Sequence, residues 1–90
     1  MANNKPDISL FFPVYNDENT VRIVAKRALA LLEEVADNYE VIIVNDGSPD
    51  SSGEIADQLA REHQAISVVH HPETRGYGAA MKTGIAASRY

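Results

Sequence analysis

No cysteine occurs in these 90 residues, so disulfides and thiolate metal sites are excluded. Basic residues are scarce. Eight Lys and Arg stand against thirteen Asp and Glu, and the formal charge of -5 argues against a generic nucleic-acid binder, though a local basic patch fits within that sum. No apolar run approaches the ~20 residues needed to cross a bilayer. The opening Met-Ala-Asn-Asn-Lys-Pro-Asp has no apolar signal-peptide core, so the expected address is the cytoplasm. There is no internal repeat, low-complexity tract or linker. With 44% hydrophobic and 23% charged residues, the composition is that of an ordinary globular chain, one domain with a modest core.

What is present is an alternation. Tyr39 to Val44 reads as a short strand buried on both faces, because its β-branched apolar residues run together rather than alternating with polar ones. It stops on Asn45-Asp46-Gly47, an acid and a turn residue where an apolar strand meets solvent. Ile8 to Val14 reads as an earlier strand, with Pro13 confined to its end, and Ala65 to His70 as a third. Residues 1–7 are polar and expected to fray. From Thr20 to about Asp37, Val21, Val24, Ala25, Ala28, Leu31, Leu32 and Val35 recur at helical spacing, with Asp17 or Asn19 as the expected cap. Ser51 to Glu54 matches a capping box ahead of a second amphipathic helix. Tyr77 to Tyr90 predicts a third, rich in small residues.

Strand, helix, strand, helix, strand, helix implies an α/β fold: a three-layer, Rossmann-like arrangement with a parallel sheet and right-handed crossovers. Three parallel strands leave uncovered edges, so the chain reads as a single partial domain, the front portion of something larger. The strands' carboxyl ends then meet at one sheet edge, where ligands of open α/β sheets bind. These ends are Pro13 to Asp17, Asn45 to Ser48, and His70 to Gly78. The implied ligand is small and polar, a nucleotide being the best fit.

Each residue there has a plainer use as well. Asp46 can accept hydrogen bonds from a base or ribose, or simply form a turn before Gly47. Asp17 can contact ligand or cap a helix, and Tyr15 can stack on a base or cover the sheet edge. Arg75-Gly76-Tyr77-Gly78 can bring amides and a cation to a diphosphate, or serve tight packing. Lys82, about one helical turn on, reaches the same anion or is solvated. Asp46 to Asp57 is no calcium loop, since Ser51 stands where glycine is required and Asp57 where glutamate is. His70 and His71 are neighbours on a strand and point to opposite faces, which counts against a metal pair.

Taken together, Phe12-Pro-Val-Tyr-Asn-Asp17, Val44-Asn-Asp-Gly-Ser-Pro-Asp50 and Arg75-Gly-Tyr-Gly-Ala-Ala-Met-Lys-Thr-Gly84 resemble the family-two glycosyltransferases of the GT-A fold. The nearest branch is that of dolichyl-phosphate mannose synthase and related polyprenyl-phosphate sugar transferases. The resemblance runs from Ile8 to Tyr90. It implies a pocket for a nucleotide-diphosphate sugar, a UDP- or GDP-sugar, with Pro13, Val14 and Tyr15 along base and ribose and Asp46 bonded to the base. Asp17 stands where the family usually carries Glu, and Asn45 where many members carry a second Asp, so one carboxylate has become an amide. Gly47 follows in the same motif. Arg75, Gly76 and Gly78 match the loop that closes over the nucleotide, and Lys82 is a further candidate. The family's Asp-x-Asp motif, which holds Mg2+ or Mn2+, is expected beyond Tyr90, together with the acceptor site and any general base. The resemblance therefore implies no catalytic residue and no bound metal in these residues, and an inactive chain whose longer parent transfers sugar, with a polyprenyl phosphate as one acceptor.

Two other readings compete. A dinucleotide-binding module needs Gly-x-Gly-x-x-Gly after the first strand, where this chain has Pro-Val-Tyr-Asn-Asp. A receiver-like signalling domain needs a phosphorylatable Asp after the third strand, where His70-His71 stands. A third, compatible reading is a folded piece that self-associates through its open sheet edge.

Overall fold

The run Val41-Ile42-Ile43-Val44 forms the centre of the structure, and all four side chains are fully buried. A computed structural model describes residues 4–90. It contains β1 (Asp7–Val14), α1 (Val21–Val35), β2 (Asn38–Asp46), α2 (Ser52–Glu62), β3 (Ile66–His71) and α3 (Tyr77–Ala87). The three strands are parallel in the order β1-β2-β3. With β2 in the middle, its residues lose water on both faces, which is why the strand carries no polar alternation. Burying each of these aliphatic side chains contributes roughly 1.5–3 kcal/mol relative to exposure.

The pleat sends alternate β2 residues to opposite layers. Val41 and Ile43 join Val14, Val21, Ala25, Leu32, Ala56 and Leu59 beneath α1 and α2. Ile42 and Val44 join Ala80, with Phe11 and Val69 packed on them, beneath α3. The result is the expected three-layer α/β arrangement. Gly84 lets α3 sit close, for a Cβ there would come within 2.1 Å of the Phe11 ring. No helix among the described residues is long and apolar enough to cross a membrane.

The element boundaries differ from expectation in ways the contacts explain. Of the expected frayed segment 1–7, residues 1–3 lie outside the described residues. The remainder is tied down: the Lys5 amide donates to the Asp37 carboxylate at 3.1 Å, and the Asp37 amide to the Pro6 carbonyl at 3.0 Å. β1 accordingly starts at Asp7. Neither Asp17 nor Asn19 caps α1 with its side chain. Thr20 is the cap residue but makes no side-chain cap bond; the Asp17 carbonyl takes the Thr20 and Val21 amides and the Thr20 hydroxyl. Ser51 and Glu54 do not form a capping box either: Ser51 makes no side-chain cap bond, and the Glu18 carboxylate already holds the Ser51 amide at 3.2 Å. β3 runs to His71 rather than His70, and α3 stops at Ala87 rather than Tyr90. After Ala87 the Ser88 hydroxyl donates to the Gly84 carbonyl, and the Arg89 and Tyr90 amides donate to Glu40 and Ser9 at the amino ends of β2 and β1.

Candidate functional site

The parallel register brings the carboxyl ends into line: Val14 lies beside Asn45 and Asn45 beside His70, while Asp46 lies beside His71. The segments that follow are laced together. Asn16, in the left-handed region at φ 57, donates its amide to Ser48 Oγ at 2.9 Å. The Asp17 amide donates to Ser52 Oγ at 3.0 Å, and the Tyr15 amide to the Asp17 carboxylate at 3.0 Å. Glu18 and the segment after β2 exchange bonds: the Glu18 amide donates to Asp50 at 3.1 Å, and the Ser51 amide to the Glu18 carboxylate at 3.2 Å. Burial raises the Asp50 carboxyl, but donation from the Ser48 and Ser52 hydroxyls, with the Ser52 and Glu18 amides, holds it well below the usual carboxylate range.

Asp46 is 5% exposed, and three donors hold its carboxylate. His71 Nδ1 lies 2.7 Å and the Arg75 amide 2.9 Å from Oδ1, and the Gly76 amide donates to Oδ2 at 3.0 Å. These bonds, the His71 contact foremost, outweigh the cost of burial and keep the carboxyl below its ordinary value. The β3–α3 loop is thereby folded around the end of β2. Gly76 at φ 94 supplies the turn that no side chain adopts easily.

Between these segments lies a cavity of about 310 Å³, lined by Pro13, Tyr15, Asp17, Asp46, Thr74, Tyr77 and Ala80. Four of the residues singled out from the sequence therefore converge: Pro13, Tyr15, Asp17 and Asp46. Others lie elsewhere. Val14 is buried beneath α1 and α2. Asn45 faces α2, bonded to Ser48 and His70. Gly47 at φ 68 packs against the backbone of Glu73 and Thr74. Arg75 and Gly76 reach the site through their amides, and Gly78 and Lys82 are exposed outside the lining. Sequence reasoning passed over Thr74 and Tyr77 as wall residues and Thr83 as a partner of His71. Tyr77 carried a usable signal, an aromatic side chain between two glycines at a strand-to-helix turn.

The lining suits a flat, polar ligand: two tyrosine rings, a proline face and two carboxylates that accept hydrogen bonds. It does not suit a metal ion. Among the described residues no cluster of three or more His, Asp or Glu is placed to hold one, and most of Asp46 is spent on donors of the chain itself. A wider groove of about 910 Å³ lies at the opposite end of the sheet, between Lys26, Glu33, Glu40, His63 and Arg89. It belongs to the amino ends of the strands, where open α/β sheets do not gather ligands.

A parallel sheet covered on both faces, with a cavity at its carboxyl edge, defines a Rossmann-like α/β protein, and the architecture is that of the amino-terminal part of the GT-A fold. Its fold matches a mannosyltransferase of Pyrobaculum calidifontis, in complex with GDP-mannose and Mn2+, with a TM-score of 0.77 at 23% identity over 93% of this chain and 25% of that one. The chain belongs to glycosyl transferase family 2, whose profile matches residues 9–90. It is 40% identical over 84 residues to EpsH of Bacillus subtilis, covering 93% of this chain and 23% of EpsH. It is 33% identical to the human dolichyl-phosphate beta-glucosyltransferase, covering 91% of this chain and 28% of that protein. It is 36% identical to an undecaprenyl-phosphate 4-deoxy-4-formamido-L-arabinose transferase of Photorhabdus laumondii, covering 79% and 22%. The chain thus spans about a quarter of the length of these relatives.

Proposed function

We propose that the carboxyl-edge cavity binds the nucleotide of a UDP- or GDP-sugar, and that the chain is the donor-binding part of a sugar transferase. The convergence of Pro13, Tyr15, Asp17 and Asp46 on one cavity carries this reading. In it, the tyrosine rings flank the base, Asp46 accepts from it, and the first amides of α3 with Arg75 face the diphosphate. Gly78 leaves that helix start open, since a Cβ there would meet nothing within 4 Å. Lys82 offers a second cation one turn further along α3.

In a longer protein the reaction is displacement at the anomeric carbon. An acceptor oxygen forms the new bond as the bond to the nucleotide diphosphate breaks, and that electron pair leaves with the diphosphate. A polyprenyl phosphate is the favoured acceptor, by analogy with the relatives named for dolichyl and undecaprenyl phosphates. Being already anionic, it needs little help from a base. Mg2+ or Mn2+ would offset the diphosphate charge, from ligands outside residues 4–90.

The test is calorimetric titration of the chain with UDP, GDP and NAD. Weak binding of one nucleoside diphosphate, lost in Asp46→Ala and exceeding that of NAD, is the expected result; NAD binding more tightly overturns the reading. The chain alone is expected to transfer no sugar above background. Self-association through the exposed edge of β1 belongs to the same proposal. Val24, Leu31 and Val35 are further exposed apolar residues, on α1. Sedimentation that does not change with concentration would refute that part.

A further inference from the structure

Asp46, His71 and Thr83 form an unbroken hydrogen-bonded line from the cavity wall into α3. Asp46 and His71 are register partners on adjacent strands, so the pleat turns both side chains to the α3 face. His71 Nδ1 is 2.7 Å from Asp46 Oδ1, and His71 Nε2 is 2.8 Å from Thr83 Oγ1. The two side chains of the Asp46–His71 pair are 7% and 4% exposed. A backbone amide only donates, and the Arg75 and Gly76 amides point at Oδ1 and Oδ2 respectively. The carboxyl, held below its ordinary value, is ionised and only accepts, so the proton between Asp46 and His71 sits on Nδ1. A carboxylate has about four acceptor positions. Three are filled from within the chain, and the open one is on Oδ2 of a residue that lines the cavity.

Thr83 completes the line because a hydroxyl donates or accepts as required. It donates to a bare Nε2 and accepts from a protonated one, so the Nδ1 proton stays in place in either charge state. The titratable groups facing Asp46 are His71 from β3, Tyr15 and Asp17 from the segment after β1, and Tyr77 from the start of α3. None of the last three bonds to the carboxylate, which leaves its orientation to His71 and the two amides.

We propose that His71 and Thr83 are positioning residues for ligand recognition. Thr83 sets the imidazole, the imidazole sets the Asp46 carboxylate, and the open position on Oδ2 is held toward an N–H donor of the bound nucleobase. The recognition step rests on the nucleotide reading above; the proton arrangement does not.

Four variants test it, with UDP and GDP as probes. Thr83→Ser keeps the hydroxyl and should bind within about twofold of the natural chain. Thr83→Val keeps the shape and loses the hydrogen bond, and should weaken binding by about three- to tenfold. His71→Leu removes a donor to a charged acceptor and should weaken it by about tenfold or more. His71→Asn, whose amide nitrogen takes the place of Nδ1, should recover most of that loss. If His71 acts through Asp46, affinity and the Asp46 titration move together across the variants. Carboxyl 13C NMR should show the titration rising toward the ordinary value of about 3.9 in His71→Leu and returning in His71→Asn. An unmoved titration, or equal affinity in Thr83→Val and Thr83→Ser, overturns the proposal. Imidazole 15N spectra of the ligand-free chain should place a proton on His71 Nδ1, and a bare Nδ1 overturns it without any ligand. If the natural chain binds neither nucleotide, the functional reading fails, while the 15N and 13C spectra still decide the proton arrangement. They also judge Thr83→Val if His71→Leu does not fold.

Discussion

Asn45 shows how one amide fixes the state of its neighbours. Its Oδ1 accepts the Ser48 amide at 3.1 Å, so its NH2 group must face His70 Nδ1 at 3.0 Å. That nitrogen is then bare, and His70 Nε2 carries the hydrogen toward Asp57 at 2.8 Å. Asn45→Asp, which restores the acid many family members carry, would place two lone pairs face to face. An imidazole with a single N–H can then satisfy only one of the two carboxylates beside it, so one contact is lost. Urea midpoints at pH 8 should show Asn45→Asp about 1–2 kcal/mol weaker than the natural chain. An unchanged midpoint refutes the arrangement. The sequence showed that position 45 departs from the family pattern, and the period of two on a strand separates its face from that of Asp46. Its partners lie 25 and more residues away, or in a turn whose shape spacing does not reveal.

At the scale of elements, apolar patterning was sufficient for β2, α1 and α2, because burial of apolar residues is what forms them, whereas α3 was legible only from its small residues. The ties between loops were not legible, since they depend on which of several oxygens wins a given amide. Glu18 takes the Ser51 amide that a Ser51–Glu54 box would have needed, in an exchange with Asp50 and Ser51 that spans more than thirty residues. Pro13, Tyr15, Asp17 and Asp46 were legible as site residues, because parallel topology alone brings strand ends together. Tyr77 and Thr74 depend on how the β3–α3 loop folds back. Gly47 makes that fold-back possible. At φ 68, a Cβ on it would lie 2.5 Å from the Glu73 carbonyl carbon and the Thr74 nitrogen, backbone atoms that cannot step aside. Gly47→Ala should thus cost about 2–4 kcal/mol, from the left-handed conformation and the backbone clash together. Against a total of roughly 5–13 kcal/mol for a chain of this size, that is a large share. Thermal unfolding of the variant measures it. A loss below about 1 kcal/mol would show that the two loops do not pack as described.

At the scale of the whole molecule, both ends of the sheet are fastened by carboxylates that are easier to ionise than usual. At the amino end the Ser9 hydroxyl is the main cause of the lowered Glu40 value, with the Arg89 amide and charge helping against desolvation. At the carboxyl end His71 and the loop amides lower Asp46, and hydroxyl and amide donors lower Asp50 against desolvation. The sign of the pH dependence follows. A folded value below the unfolded one, ~3.9 for Asp and ~4.3 for Glu, means the unfolded chain binds protons first. The stabilisation is complete above about pH 5 and is lost as pH falls through the lower folded values. Urea midpoints should therefore be level from pH 7 to 5 and fall steeply below 4, with an uptake of more than one proton on unfolding. Glu40→Gln and Asp46→Asn should each flatten the fall, from opposite ends of the sheet and independently, because their partners are not shared. The double variant should flatten it by the sum. A midpoint that stays level to pH 2.5, or a double variant no flatter than either single one, would mean the two ends are not held by these carboxylates.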